Sequence, residues 1–250
     1  MEIYWLVLFF VFGCILGSFF NVVGLRIPKN IPFTNDRSYC PICNKQLQWY
    51  ELIPIASYLI QRGHCRNCQS RISPIYPIIE LATGLLFALT YWKIGFTFEL
   101  IVALLLIGLL IIVFVTDITY MIIPNKILLF FLPLFVLMRM FTPLNPWYDS
   151  FIGAVVGFGL LASIIILTKG GMGAGDMKLF AVLGIVLGWK GILVTLFLAS
   201  FLGAIFGLFL IRINKANRKQ PIPFGPYIVV AALISYFYGE QIITFYLSWF

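Results

Sequence analysis

Apolar positions in this chain come in long unbroken blocks, without the alternation of a half-buried strand or the one-sided stripe of a surface helix. Polar and glycine- or proline-rich connections separate the blocks. A helix needs about 20 apolar residues to cross the hydrocarbon core of a bilayer. Read that way, the pattern predicts eight spans: Ile3–Leu25, Tyr76–Ile94, Phe98–Thr116, Lys126–Phe141, Ser150–Leu167, Met177–Leu187, Ile192–Ile211 and Gly225–Tyr246. Pro133 predicts a kink in the fourth. The sixth is short: its 11 residues before Gly188-Trp189-Lys190-Gly191 reach only about 17 Å at helical rise. It either extends past a snorkelling Lys190 or starts below the membrane surface. The N-terminal block reads as a permanent helix rather than a removable signal, because it begins Met1-Glu2 without a basic segment and no small-residue cleavage site follows.

Composition agrees with the blocks. The chain is 62% hydrophobic and 10% charged, where a soluble domain is about half apolar and a quarter charged. The expected fold class is thus an all-α polytopic membrane protein of about eight transmembrane helices, with a polar loop domain between the first and second. A net charge of +8 raises the question of nucleic acid, and location answers it. With the N-terminus outside, Arg26, Lys29, Arg37, Lys45, Arg62, Arg66, Arg71, Lys126, Lys169, Lys178, Arg212, Lys215, Arg218 and Lys219 are inside, and only Lys93, Arg139 and Lys190 are outside. Such asymmetry is the signature of membrane orientation, with some attraction to anionic lipid. The expected partners therefore include lipid and exclude nucleic acid. Both termini are expected outside, and the loop Arg26–Ser73 in the cytoplasm.

That loop carries Cys40-Pro41-Ile42-Cys43 and His64-Cys65-Arg66-Asn67-Cys68, with 21 residues between the two Cys pairs. Two such turns facing each other supply four thiolates, the ligand set of a closed structural zinc site. The competing reading, disulfides or unliganded thiols, is disfavoured on a reducing side of the membrane. His64 reads as a bystander to the four cysteines and Cys14 as ordinary packing.

Carboxylates beside lipid-grade sequence are costly unless they are partnered or do chemistry. Asp176 ends the segment Gly171-Met172-Gly173-Ala174-Gly175-Asp176, and Asp117 follows the third block. Two crossings separate them, so both are expected at the cytoplasmic end. Glu99 and Asp149 map to the other side and Asp36 to the polar loop, while Glu51 and Glu80 are further inner candidates. The bland reading of either aspartate is a helix cap or an interfacial charge. Two carboxyls brought close share a proton, so that one acts as general base on water while the other polarises a scissile carbonyl. Asp176 opens a helix and Asp117 closes one, which gives the ionised role to Asp176 and the protonated role to Asp117. Gly173 and Gly175 read as a strip where substrate backbone is held extended, with Lys178 beside it. Phosphate-loop readings fail, since no Lys-Ser/Thr pair follows Gly175 and the glycine spacing is wrong.

These residues resemble the type IV prepilin peptidases, membrane aspartic proteases of the GxGD class. The similarity runs nearly end to end: Gly17-Ser18-Phe19-Phe20-Asn21-Val22-Val23 with Arg26 and Pro28, the paired cysteines, Leu52-Ile53-Pro54 through Ser57-Tyr58-Leu59, Arg62-Gly63, and Ile72-Ser73 with Tyr76-Pro77 and Glu80. It continues through Asp117, Ile123-Pro124-Asn125, Gly173-Ala174-Gly175-Asp176-Met177-Lys178-Leu179 and Pro223-Phe224-Gly225-Pro226. Gly24 and His64 stand where a larger and a basic residue are common. The resemblance implies that Asp117 and Asp176 are the catalytic pair. It implies cleavage of the basic leader of prepilins or pseudopilins at the cytoplasmic face, after a glycine. It also implies N-methylation of the new N-terminus by S-adenosylmethionine. Glu51 and Glu80, on the inner side, read as candidate contacts for the basic leader or the cofactor. Residues 1–25 would form the first helix, 26–75 the zinc loop and methyltransferase region, and 76–250 a seven-helix protease core. A non-enzymatic membrane assembly factor whose zinc loop docks a cytoplasmic partner is the alternative. A transporter is disfavoured by aspartates at one face rather than the midplane.

Overall fold

The computed structural model describes residues 2–31, 38–169, 171–212 and 223–249. Asp36, Arg37, Lys215, Arg218 and Lys219 lie outside the described residues. Those described form eight α-helices: α1 (Glu2–Arg26), α2 (Ala56–Ile60), α3 (Ile75–Ile94), α4 (Phe98–Tyr120), α5 (Asn125–Phe141), α6 (Asp149–Leu167), α7 (Ala174–Arg212) and α8 (Gly225–Leu247). Two short 3₁₀ turns and two isolated antiparallel bridges complete the regular structure. Among the described residues, α1, α3, α4, α6, α7 and α8 are long and apolar enough to cross a membrane. The short helix α5 holds Pro133 within its 17 residues. The chain is an all-helical, multi-pass membrane protein.

Helix α7 contains two of the expected spans. At Gly188 the backbone leaves helical geometry (φ 70°, ψ 176°), a conformation natural to glycine. Gly157 on α6 faces the Phe180 carbonyl before the break and the Ile192 side chain after it, while Gly153, one turn earlier, faces Gly184 and Gly188. The chain therefore doubles back at Gly188, and the first segment, Ala174–Leu187, is about 21 Å long at helical rise. The break deprives the Val186 carbonyl of its partner four residues on. Arg139, buried in the last turn of α5, donates to that carbonyl (2.6 Å) and to the Thr142 carbonyl (3.1 Å). Arg139 thus has a structural use as well as a place in the charge count. Gly153 and Gly157 let α6 meet α7 backbone to backbone, the small-residue packing that replaces hydrophobic driving force in lipid.

The described chain forms two compact units, residues 1–115 and 116–250. In the first, α1 and α3 pair antiparallel: Gly13 faces Gly84 and Thr83, and Gly17 faces Thr83 and Glu80. Cys14 is buried with its Sγ against Gly84, as ordinary packing. Gly24 lies against Val115, where a Cβ would come within 2.8 Å of a side-chain carbon; a larger residue has no room. In the second unit, α6, α7 and α8 pack together, and α5 packs on α7.

Candidate functional site

Asp117 lies in the last turn of α4, which stops where Met121 adopts a left-handed conformation and donates its amide to the Asp117 carbonyl (2.9 Å). Asp176 lies in the first turn of α7, its amide donating to the Gly173 carbonyl (3.1 Å). Although both sit at helix ends, both are buried, with 6% and 8% of their surface exposed. They are near enough for the charge of Asp117 to act on Asp176. A third element meets them. The amide of Gly225, which opens α8, donates to Asp117 Oδ2 (2.7 Å). A Cβ at Gly225 would stand 2.6 Å from that oxygen.

The contact with Gly225 removes the asymmetry expected from helix ends. Asp117 closes its own helix but receives an amide from the start of another, so both aspartates face a helix N-terminus. In the sequence Gly225 is one glycine of the Pro223-Phe224-Gly225-Pro226 motif, and a backbone N–H leaves no side-chain signal of its role. The glycines of the Asp176 segment have local reasons to be small. A Cβ at Gly173 would approach Asp176 Oδ2 to 3.1 Å, and one at Gly175 would approach Ile123 to 3.0 Å. Gly175 lies inside the first turn of α7 rather than in extended backbone. Lys178 is exposed and donates to Asn125 Oδ1 (3.0 Å) at the start of α5.

The four cysteines lie in two turns of the same construction. Tyr39 bridges Gln46 and His64 bridges Arg71. In each turn the first cysteine's amide bonds five residues ahead (Cys40 to Lys45, Cys65 to Ser70, 2.9 Å each), and Asn44 or Gln69 follows the second cysteine at positive φ. The sulfurs of Cys40, Cys43, Cys65 and Cys68 all lie within 4.8 Å of one another, and Cys40 and Cys68 are 3.8 Å apart. Four sulfurs about 2.3 Å from a tetrahedral zinc lie about 3.8 Å apart, so the cluster has the dimensions of a metal site. All four are free of disulfides. Amides of Cys43 and Ile42 pull the Cys40 thiol down to about 6, and the Ser70 hydroxyl lowers Cys68, which suits thiolate ligation at those two positions. At Cys43 the pull of the Lys45 amide is outweighed by burial and by the adjoining Cys68 and Cys40 thiols, and the thiol is raised. His64 turns Nδ1 to the Arg62 carbonyl (2.7 Å), outside the ligand set.

The two glutamates differ in use. Glu51 Oε2 accepts the Gln48 amide (2.9 Å) and caps its own 3₁₀ turn. Glu80, buried on α3, accepts the Ile55 amide (2.7 Å) and a hydrogen bond from Ser18.

Comparison with known proteins gives the same grouping. The bacterial peptidase A24 N-terminal domain matches residues 11–94, and the type IV leader peptidase family matches residues 104–208. The chain is 46% identical over 239 residues to a prepilin leader peptidase/N-methyltransferase of Bacillus subtilis, covering 96% of each chain. The chain belongs to the type IV leader peptidase family. Proteins of the same description from Aeromonas salmonicida and Pseudomonas aeruginosa are 36% and 34% identical, covering 96% and 94% of this chain and 93% and 91% of theirs. No solved structure is significantly similar. The N-terminal match contains the second half of α1, the cysteine turns and α3, and the leader-peptidase match contains Asp117 and Asp176.

Proposed function

We propose that this leader peptidase is a membrane aspartic endopeptidase that removes the basic leader of type IV prepilins or pseudopilins and N-methylates the exposed N-terminus. The observation that carries the peptidase half is the pairing of two buried aspartates, from the end of α4 and the start of α7, within electrostatic reach of each other. With one carboxyl ionised and the other protonated, the ionised one takes a proton from water as the water oxygen attacks the scissile carbonyl. The protonated one gives its proton to the carbonyl oxygen. Collapse of the tetrahedral adduct expels the amine, which picks up a proton from the dyad. Gly225 steadies one oxygen of Asp117 throughout, and Gly173 and Lys178 border the place where substrate backbone would approach.

The four cysteines would hold a structural zinc. With every position taken by thiolate, the metal would fix the loop and leave no open position for hydrolysis. S-adenosylmethionine would supply the methyl group. The distribution of Lys and Arg supports both termini outside, with the dyad and the cysteine loop on the cytoplasmic side. A substrate with a basic leader and an apolar stem meets a dyad at the inner end of the helices without leaving the membrane. Residues 26–75 and 76–250 then divide methylation from cleavage. The assembly-factor alternative leaves the aspartate pair without a use.

Purified protein incubated with a prepilin-like peptide, followed by mass spectrometry, tests the reading. Cleavage after the leader glycine is expected, with a gain of about one CH₂ when S-adenosylmethionine is added. Intact peptide in both conditions would refute it.

A further inference from the structure

Ile55 is the most strained residue of the cysteine loop. A β-branched residue at φ 60°, ψ −52° is an outlier, and the Ala56 amide closes a three-residue turn onto the Pro54 carbonyl (2.6 Å), a positive-φ γ-turn. Strain of this kind persists where surroundings over-determine it, and it clusters at functional sites. Here the surrounding group is Glu80, whose Oε2 takes the Ile55 amide.

Glu80 itself needs a reason. It is only 8% exposed on a helix long and apolar enough to cross a membrane. Its partners are the Ile55 amide and Ser18; no cationic side chain among the described residues pairs with it. Asn21 lies on the facing helix. It is 2% exposed, its Nδ2 donates to the Tyr76 carbonyl (3.4 Å), and its Oδ1 accepts from nothing. In the antiparallel α1/α3 pair Asn21 stands beside Tyr76, and Ser18, one turn earlier on α1, stands beside Glu80. A buried carboxylate without a cation and a buried carbonyl oxygen without a donor thus stand about one turn apart on one helix pair. An intramembrane acid with unspent acceptor capacity marks a ligand site.

We propose that Asn21 Oδ1 and the Glu80 carboxylate form an acceptor pair for an α-ammonium group, walled by the strained turn Pro54–Ile55–Ala56. A cation with N–H donors satisfies both acceptors at once, which neither an anion nor an apolar ligand does. Two participants in methylation carry this group: the amino-acid end of S-adenosylmethionine, and the new N-terminus of the cleaved substrate. The inference rests on the methyltransferase half of the proposed function. It extends that half beyond residues 26–75 to α1 and α3, and to no residue of the aspartate pair.

Calorimetric titration of the full-length protein in lipid nanodiscs tests it. The probes are S-adenosylhomocysteine, a mature-pilin peptide with a free N-terminus and the same peptide acetylated, each alone and with the other ligand present. Wild-type protein should bind S-adenosylhomocysteine or the free peptide, and whichever probe loses affinity in the variants identifies the source of the ammonium. Glu80→Gln keeps an acceptor for the Ile55 amide, and Asn21→Leu keeps side-chain volume. Each should weaken that probe at least tenfold, with metal content and gel-filtration profile as wild type. No binding by wild type, equal binding of the acetylated peptide in the free-peptide arm, or variants within twofold of wild type would overturn the proposal. A parallel methylation assay of wild type separates failures: methylation with unaffected variant binding sinks this site alone, whereas no methylation removes the reading beneath it.

Discussion

At the residue scale, the contact that matters most beside the aspartates is a backbone amide. Gly225 approaches Asp117 so closely that a single methyl group has no room. Gly225→Ala is expected to displace the carboxylate and lower kcat/KM by about 10²-fold, in line with about 1 Å misplacement of a catalytic group, with little effect on KM. Peptide-cleavage kinetics on the nanodisc-embedded variant would show this, and an unaltered kcat would remove Gly225 from the site. Gly175→Val should also depress cleavage, by pushing Ile123 from the first turn of α7; in-gel processing of a prepilin substrate checks it. The two aspartates were legible as rare acids flanking apolar blocks. Gly225 was not, because the group it contributes is one that every residue except proline possesses. Each aspartate's own helix end is visible in the sequence, whereas the α8 start that meets Asp117 comes from 108 residues further along the chain.

At the element scale, α7 shows how length arithmetic and geometry divide the work. Counting apolar residues revealed a sixth span too short for an ordinary crossing. The reason emerged only with φ at Gly188 and with Arg139 on the orphaned Val186 carbonyl. Gly188→Ala places a side chain in a left-handed conformation against Asp149, and should cost at least about 1 kcal/mol. A lower thermal midpoint by scanning calorimetry is the expected result. The cysteine turns were more legible, since C-x-x-C pairs announce their ligands by spacing alone. Their strained neighbour Ile55 was hidden, because nothing about isoleucine suggests positive φ. The proposed zinc would be held by thiolates, and protonation of Cys40, whose thiol lies at about 6, would displace it as pH falls through that value. Metal analysis after dialysis across that range should show retention at neutral pH and release below it. Cys40→Ser should lower the metal content at every pH.

At the scale of the whole molecule, the organising quantity is the distribution of basic residues about the apolar blocks, 14 of 17 on one side of the expected topology. A single cysteine introduced at Lys45 in a Cys14→Ala background, with the four loop thiols protected, should resist a membrane-impermeant maleimide added outside intact cells. One introduced at Trp147 should react. The reverse pattern would invert the orientation. The all-helical, multi-pass architecture followed from apolar block length, because lipid leaves the backbone few alternatives. The grouping of these helices into residues 1–115 and 116–250 did not, because block length carries no information about which helices pair.

The central claim is that Asp117 and Asp176 act together on the peptide bond. The most direct test is kcat/KM for prepilin-peptide cleavage by Asp117→Asn, Asp176→Asn and the double variant, with folding verified by thermal midpoint. Each single variant should lose at least about 10³-fold, and the double should lose no more than either, since groups acting as a unit are not additive. Near-wild-type cleavage by either single variant would contradict the account.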